Sequence, residues 1–154
     1  MRLSCLPVSF FAEIIDGRMP VAEWARLGRS LGLDAIDLSI LFVQPRTTEH
    51  ARLLRTQIED AGSRVAMITT YPDFTHPDPA QRRKELDRAI ETVDVAEALG
   101  ADLIRVTAGQ AHPSTARADG IAWAVDGLSS LVEAVHDSPV RPVYENHAKP
   151  GAWE

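Results

Sequence analysis

The chain has 154 residues, with 16 Lys and Arg against 22 Asp and Glu and a net charge of −6, and 45% of it is hydrophobic and 25% charged, the balance of one globular domain with a substantial core. The acidity disfavours nucleic-acid and anionic-membrane partners, which need a basic surface, and no apolar run approaches the ~20 residues of a membrane span. A single cysteine, Cys5, excludes an internal disulfide framework and fits a reducing, cytoplasmic setting.

Strands and helices alternate along the chain. The N-terminus has one basic residue and no small-residue cleavage site, so Leu3 to Phe11 is expected as a first strand rather than a signal peptide. A helix begins near Pro20, where the missing amide hydrogen costs nothing, and ends at Gly32 with Trp24, Leu27 and Leu31 on one face. A strand follows from Ala35 to Ile40. The next helix opens at Thr48, a plausible cap, carries Leu53, Leu54 and Ile58, and closes at Gly62. Arg64 to Thr70 is the third strand. After the turn-rich run from Tyr71 to Pro77, Asp78 caps a helix with Pro79 in its first turn and Gln81 at the capping-box position; Leu86, Ile90, Val93 and Leu99 form its buried stripe. Its basic run Arg82-Arg83-Lys84 is a solvated face. Asp102 to Ala108 is the fourth strand, and Ala118 to His136 a helix with Ile121, Val125, Leu128, Val132 and Val135 at core spacing. The fifth strand, Val140 to Val143, runs into Tyr144-Glu145-Asn146-His147.

Glycines at positions 32, 62 and 100 each follow a helix, where a left-handed residue turns the chain into the next strand. The repeat of roughly 30 to 38 residues fits a (β/α)8 barrel of ~250 residues. The fold expected is therefore a single α/β domain over residues 1–154: an incomplete TIM barrel of four βα units plus a fifth parallel strand, with further strands expected beyond Glu154. The alternative is a complete five-stranded doubly wound sheet. Against it, no glycine-rich phosphate loop follows the first strand and no helix follows the fifth.

In parallel α/β sheets the chemistry gathers at the C-terminal ends of strands, which directs attention to Glu145 and His147. Alternation puts both on the face of Val143. Asp37 and Arg105 each interrupt an apolar strand, and an unpaired charge inside a barrel costs several kcal/mol, so the two are expected to face one another, directly or through substrate. Thr107 shares the face of Arg105. Phe10, Phe11, Tyr71 and Trp153 fall at strand ends, where they either wall a pocket or pack the rim, whereas Trp24 and Trp123 lie on helices and read as packing. Glu13 has no evident role.

The ordered set Leu31-Gly32-Leu33-Asp34-Ala35-Ile36-Asp37-Leu38, Asp73-Phe74, Ala96 to Val106 with Gly109, and Val143-Tyr144-Glu145-Asn146-His147 with Lys149-Pro150-Gly151-Ala152-Trp153 resembles the xylose isomerase-like TIM-barrel family, which contains sugar phosphate isomerases and epimerases. The likeness covers essentially the whole chain. It implies a divalent metal at the barrel mouth, Mn²⁺, Mg²⁺ or a similar ion, held by a Glu on strand five, an Asp on strand six, a His on strand seven and a Glu on strand eight.

Only Glu145 matches that ligand set. The resemblance thus makes Glu145 both metal ligand and catalytic carboxylate, with His147, Arg105 and Asp37 as substrate-binding candidates, in an isomerase or epimerase that moves a proton through an enediolate on a small sugar or polyol. This chain alone is expected to be inactive and to hold no metal tightly. The competing readings are a non-catalytic half-barrel that self-associates through open sheet edges and an apurinic-endonuclease-like metal hydrolase using His76 and His112; the acidic charge weighs against the latter, and a solvated turn is the commoner setting for such histidines.

Overall fold

The computed structural model describes residues 2–146. After a 3₁₀ turn at Val8–Phe10, the elements run α1 (Phe11–Ile15), α2 (Val21–Ser30), β1 (Ile36–Ser39), α3 (Thr48–Asp60), β2 (Val65–Thr69), α4 (Pro79–Ala98), β3 (Leu103–Val106), α5 (Arg117–Ala134) and β4 (Arg141–Tyr144). The sheet is parallel and in strict chain order, β1-β2-β3-β4. A doubly wound sheet reverses its strand order at a switch point; this one does not. With right-handed crossovers, every helix lies on the same face, which is the arrangement of a barrel wall.

Register sorts the side chains. Asp37, Met67 and Leu103 lie level with one another, and so do Ser39, Thr69, Arg105 and Val143. These form the inward face. The opposite set, Ile36, Leu38, Ile68, Ile104 and Val106, is fully buried beneath the helices. It is joined there by Val93, Ala96 and Leu99 of the α4 segment and by Leu54 and Ile58 of α3.

The first expected strand is only half realised. The carbonyl of Leu3 accepts from the amides of Asp34 (2.9 Å) and Ala35 (3.3 Å), and that of Cys5 from Asp37 (3.0 Å), so the segment runs beside β1 as an outer strand would. Pro7 then removes a donor and fixes φ. From Val8 onward the chain coils into the 3₁₀ turn and α1, where the ring of Phe10 packs on Trp24 and that of Phe11 on Phe42. Those two aromatics are packing residues.

Capping follows local chemistry. Asp78 accepts from Ala80 N at 2.8 Å with Pro79 at the first helical position, as its sequence signature promised. For α3 the cap is one residue earlier than Thr48: Thr47 Oγ1 accepts from His50 N at 3.2 Å.

Helix α5 departs most from its pattern. Ile121, Val125 and Val132 are 50%, 59% and 54% exposed, while Gly120, Ala124 and Leu131 face the core. The small residues win because the helix comes down closely on the loop that follows β2. A Cβ on Gly127 would lie 2.6 Å from Cγ of the fully buried Phe74, and no bulkier face fits that spacing. Leu31 and Leu53 are likewise exposed rather than core.

Gly127→Ala sets helix propensity, worth up to ~1 kcal/mol in alanine's favour, against overpacking of ~1–3 kcal/mol. The collision is with the root of a buried ring that cannot swing away, so a net loss of about 1 kcal/mol is expected. Urea denaturation measures it, and an unchanged or higher midpoint would show that Phe74 can yield.

Candidate functional site

The C-terminal ends of β2, β3 and β4 bring together Thr69, Tyr71, Arg105 and Glu145. Arg105 sits mid-sheet in the ladder, and its position is fixed from the next strand: Thr70 directs both its amide and its hydroxyl at the Arg105 carbonyl, each at 2.9 Å. Its side chain points to the inward face and is only 4% exposed. A buried guanidinium is costly unless compensated. Two contacts compensate it in part. Glu145, whose amide continues the ladder by bonding to Val106 O at 3.0 Å, places Oε2 3.6 Å from Arg105 Nε. The guanidinium carbon lies 4.6 Å from the Tyr71 ring centroid, within cation–π range.

The compensation is incomplete. At 3.6 Å the carboxylate attracts the charge but is too distant for a hydrogen bond, so Arg105 Nε and Nη1 are buried without a hydrogen-bond partner, as is Thr69 Oγ1 on the neighbouring strand at the same level. Buried donors are normally satisfied. Side-by-side orphans at a strand end are an arrangement that a ligand rich in oxygen acceptors completes. Tyr71 also borders a second, outer cleft of about 440 Å³, lined among others by Thr70, Ile40, Arg46 and Arg88.

Asp37 is placed differently from expectation. It lies on the inward face but level with Leu103, two strands and two residues from Arg105, on the order of 12 Å away by standard strand spacing. The two make no direct pair; Arg105 takes Glu145 instead. Asp37 is buried with Oδ1 lacking a hydrogen-bond partner. Desolvation pushes its carboxyl above the ordinary value, with the Ser4 side chain and the Met67 amide pulling the other way.

His147 and Trp153 lie outside the described residues. Thr107 is buried and reaches Pro72 O at 3.5 Å, which makes it a loop tie. Trp123 stacks under Arg82 across α4 and α5, 4.1 Å from ring to guanidinium carbon. His76 and His112 are not solvated turn residues. Their rings pack edge-on at 5.0 Å, and His112 Nε2 lies 2.8 Å from Asp73 Oδ2. Sequence reasoning gave Asp73 and Thr75 no role, although an Asp two residues before a Thr is a turn signature. Asp73 Oδ1 accepts from Thr75 N (3.3 Å) and Gln110 N (3.1 Å), knitting the loop after β2 to the loop after β3. Gly109, at φ +139°, is what lets them meet: a Cβ there would strike Thr75 Oγ1 and Asp73 Oδ1.

The residues do not by themselves make a metal centre. Among the described residues no three of His, Cys, Asp and Glu gather as a metal-holding group. For the divalent ion that the resemblance implies, Glu145 is the one matching ligand.

The raised Asp37 carboxyl carries a pH signature. A group whose folded value exceeds its unfolded value stabilises fully below the ordinary 3.8 and loses that contribution as pH rises through the folded value. Asp37→Asn should therefore raise the urea midpoint at pH 7, with the gain shrinking toward zero near pH 4. A mutant-to-wild-type difference that stays constant from pH 4 to 7 would contradict burial as the cause.

Comparison with known proteins supports the architecture. Solved structures of similar fold include a 3-keto-D-glucoside 4-epimerase from E. coli (14% identity, TM-score 0.73, covering 94% of this chain and 55% of that one). Others are a D-psicose 3-epimerase from Clostridium cellulolyticum H10 with D-tagatose (10%, 0.74, 92% and 51%) and a sugar phosphate isomerase/epimerase from Parabacteroides distasonis (11%, 0.70, 95% and 51%). This chain spans about half the length of each. At these identities the likeness is one of fold. The search of curated proteins finds no match. The family model described as xylose isomerase-like TIM barrel matches residues 25–153, and with the in-order parallel sheet and its one-sided helices, the chain belongs to the xylose isomerase-like TIM-barrel family.

Proposed function

We propose that this chain contributes the Arg105–Glu145 part of the mouth of a sugar isomerase or epimerase that acts on a small sugar or polyol. The observation that carries the reading is the buried Arg105 with Nε and Nη1 unsatisfied beside the unsatisfied Thr69 hydroxyl. Sugar hydroxyl and carbonyl oxygens supply the acceptors such donors lack. The epimerases among the structural neighbours make a keto sugar the first substrate class to try.

In this reading the guanidinium binds the oxygen on which negative charge develops as a neighbouring C–H proton leaves. Fixed, water-poor donors of this kind stabilise developing charge strongly. Glu145, half exposed at the strand end, accepts that proton and returns it to the same or the adjacent carbon. Tyr71 limits the motion of the guanidinium by lying against it. A divalent ion such as Mn²⁺ or Mg²⁺ belongs to the proposal for a complete barrel, with Glu145 as this segment's contribution; the segment alone holds none tightly. The single Cys5 suits a reducing, cytoplasmic setting, and no helix among the described residues is long and apolar enough to cross a membrane.

A sugar titration followed by NMR tests the reading. D-Psicose should shift the Arg105 Nε–H resonance saturably, and Arg105→Lys should weaken binding about tenfold or more, since a point charge cannot replace the fork of donors. Binding unchanged by Arg105→Lys sinks the proposal. In a chain carrying an entire barrel, Glu145→Gln should lower epimerisation by about 10²- to 10⁴-fold, read from D-psicose and D-fructose interconversion.

The second reading, a non-catalytic half-barrel, draws on the exposed stripe of Ile121, Val125 and Val132 on α5. β4, paired with β3 alone among the described strands, offers an edge of the kind that templates association. We expect the chain to self-associate at tens of micromolar, with Val125→Glu shifting it toward monomer. Sedimentation velocity showing a stable wild-type monomer would remove that reading.

A further inference from the structure

We infer that the outer cleft bordered by Tyr71 is a subsite for a second sugar ring. The inference rests on the sugar-site reading above and deepens it by naming the substrate class: a keto sugar that carries a further ring through a glycosidic bond. Two residues tie the cleft to the mouth. Tyr71 borders the cleft of about 440 Å³ and also lies against Arg105, with 4.6 Å between ring centroid and guanidinium carbon. Thr70 lines the cleft and holds the Arg105 carbonyl through both its amide and its hydroxyl, each at 2.9 Å. Residues of the cleft wall therefore touch the group that binds the reacting sugar. The volume falls within the ~300–1,000 Å³ of small-molecule sites.

The lining selects the chemistry of the occupant. Its buried part is apolar, with Ile40, Ala89 and Val95 each 5% exposed. Leu41 and Tyr71, on the same lining, keep 38% and 39% of their surface exposed and offer an apolar and an aromatic face. The charges cancel, Arg46 and Arg88 standing against Glu85 and Glu91. Arg88 and Glu85 satisfy one another at 2.8 Å, and the Thr92 hydroxyl donates to Arg88 O at 2.7 Å. Arg46 and Glu91 have no hydrogen-bond or ion-pair partner among the described residues. The backbone on either side of Arg46 is nonetheless fixed, since Thr47 N donates to Pro45 O at 2.9 Å and Thr47 caps α3.

One cavity thus offers unspent donors, unspent acceptors and apolar surface, without net charge. A phosphate or carboxylate would be drawn by Arg46 and repelled by Glu91, so it gains little from such a wall. A neutral ring bearing several hydroxyls uses all of it. Its hydroxyl groups accept from the guanidinium and donate to the carboxylate, while its C–H face covers Leu41 and Tyr71.

NMR titration of the intact chain tests this, with D-fructose as the single-ring probe. Isomaltulose, turanose and lactulose are the two-ring probes, because they attach a second ring at different carbons of the same ketose. At least one of them should move the Leu41 methyl resonances and Arg105 Nε–H along one saturation curve. It should also bind about tenfold or more tightly than D-fructose, the scale of hydrogen bonds to charged groups. Arg46→Ala combined with Glu91→Ala, both at exposed positions, should remove that advantage. If D-fructose moves Arg105 and no disaccharide binds more tightly, the inference is overturned while the sugar site stands. The same holds if D-fructose 6-phosphate alone gains affinity, which makes the cleft an anion site, or if a disaccharide gains without a response at Leu41, which places its second ring elsewhere. If no sugar moves Arg105, the sugar-site reading fails and the inference falls with it.

Discussion

Parallel pairing in unbroken chain order is the constraint on which the rest depends. Because β1 to β4 follow one another without a reversal, each crossover must pass on the same side, and one sheet face receives all the helices. That face carries the isoleucines, leucines and valines and supplies the hydrophobic stabilisation. The other is released from core duty and can hold Asp37, Ser39, Thr69 and Arg105. A charged residue in the middle of a buried strand is tolerable only in such a division of labour.

The division also explains how a site is assembled from residues far apart in sequence. Thr69, Arg105 and Val143 are level because the ladder makes them so, and Glu145 is carried to Arg105 by one more ladder bond. Electrostatics then acts on positions that backbone hydrogen bonding has already set. Arg105 ends up with attraction on two sides and donors to spare. Asp37, one layer deeper, has a neutralisation problem of its own.

The alternation of elements, the barrel-like order and Glu145 at a strand end were legible in the sequence, because periodicity, caps and post-helical glycines are local signals. What failed was non-local. Ile121 and Val125 have core spacing, but apolar spacing says nothing about what a helix packs against; the seat of Gly127 on Phe74, in the loop after β2, decides which face turns inward. Asp37 and Arg105 read as partners because both are unexplained charges on strands, yet register, which the sequence does not print, rules out their direct contact. Pro7 interrupts an apolar run that otherwise reads as strand, and beyond it Val8–Phe10 coils into a 3₁₀ turn. Asp73 and His112 lie 39 residues apart, and no pattern within either loop announces the other.

Gly109 has a consequence of a different kind. It contributes no functional group, yet two loops touch only because nothing projects from its α-carbon. A survey that scores positions by side-chain chemistry would rank it as filler, while a saturation-mutagenesis map should show it among the least permissive positions of the rim. Selection there acts on empty space, and any descendant of this fold that replaces Gly109 must part the two loops, and with them the imidazole from its carboxylate.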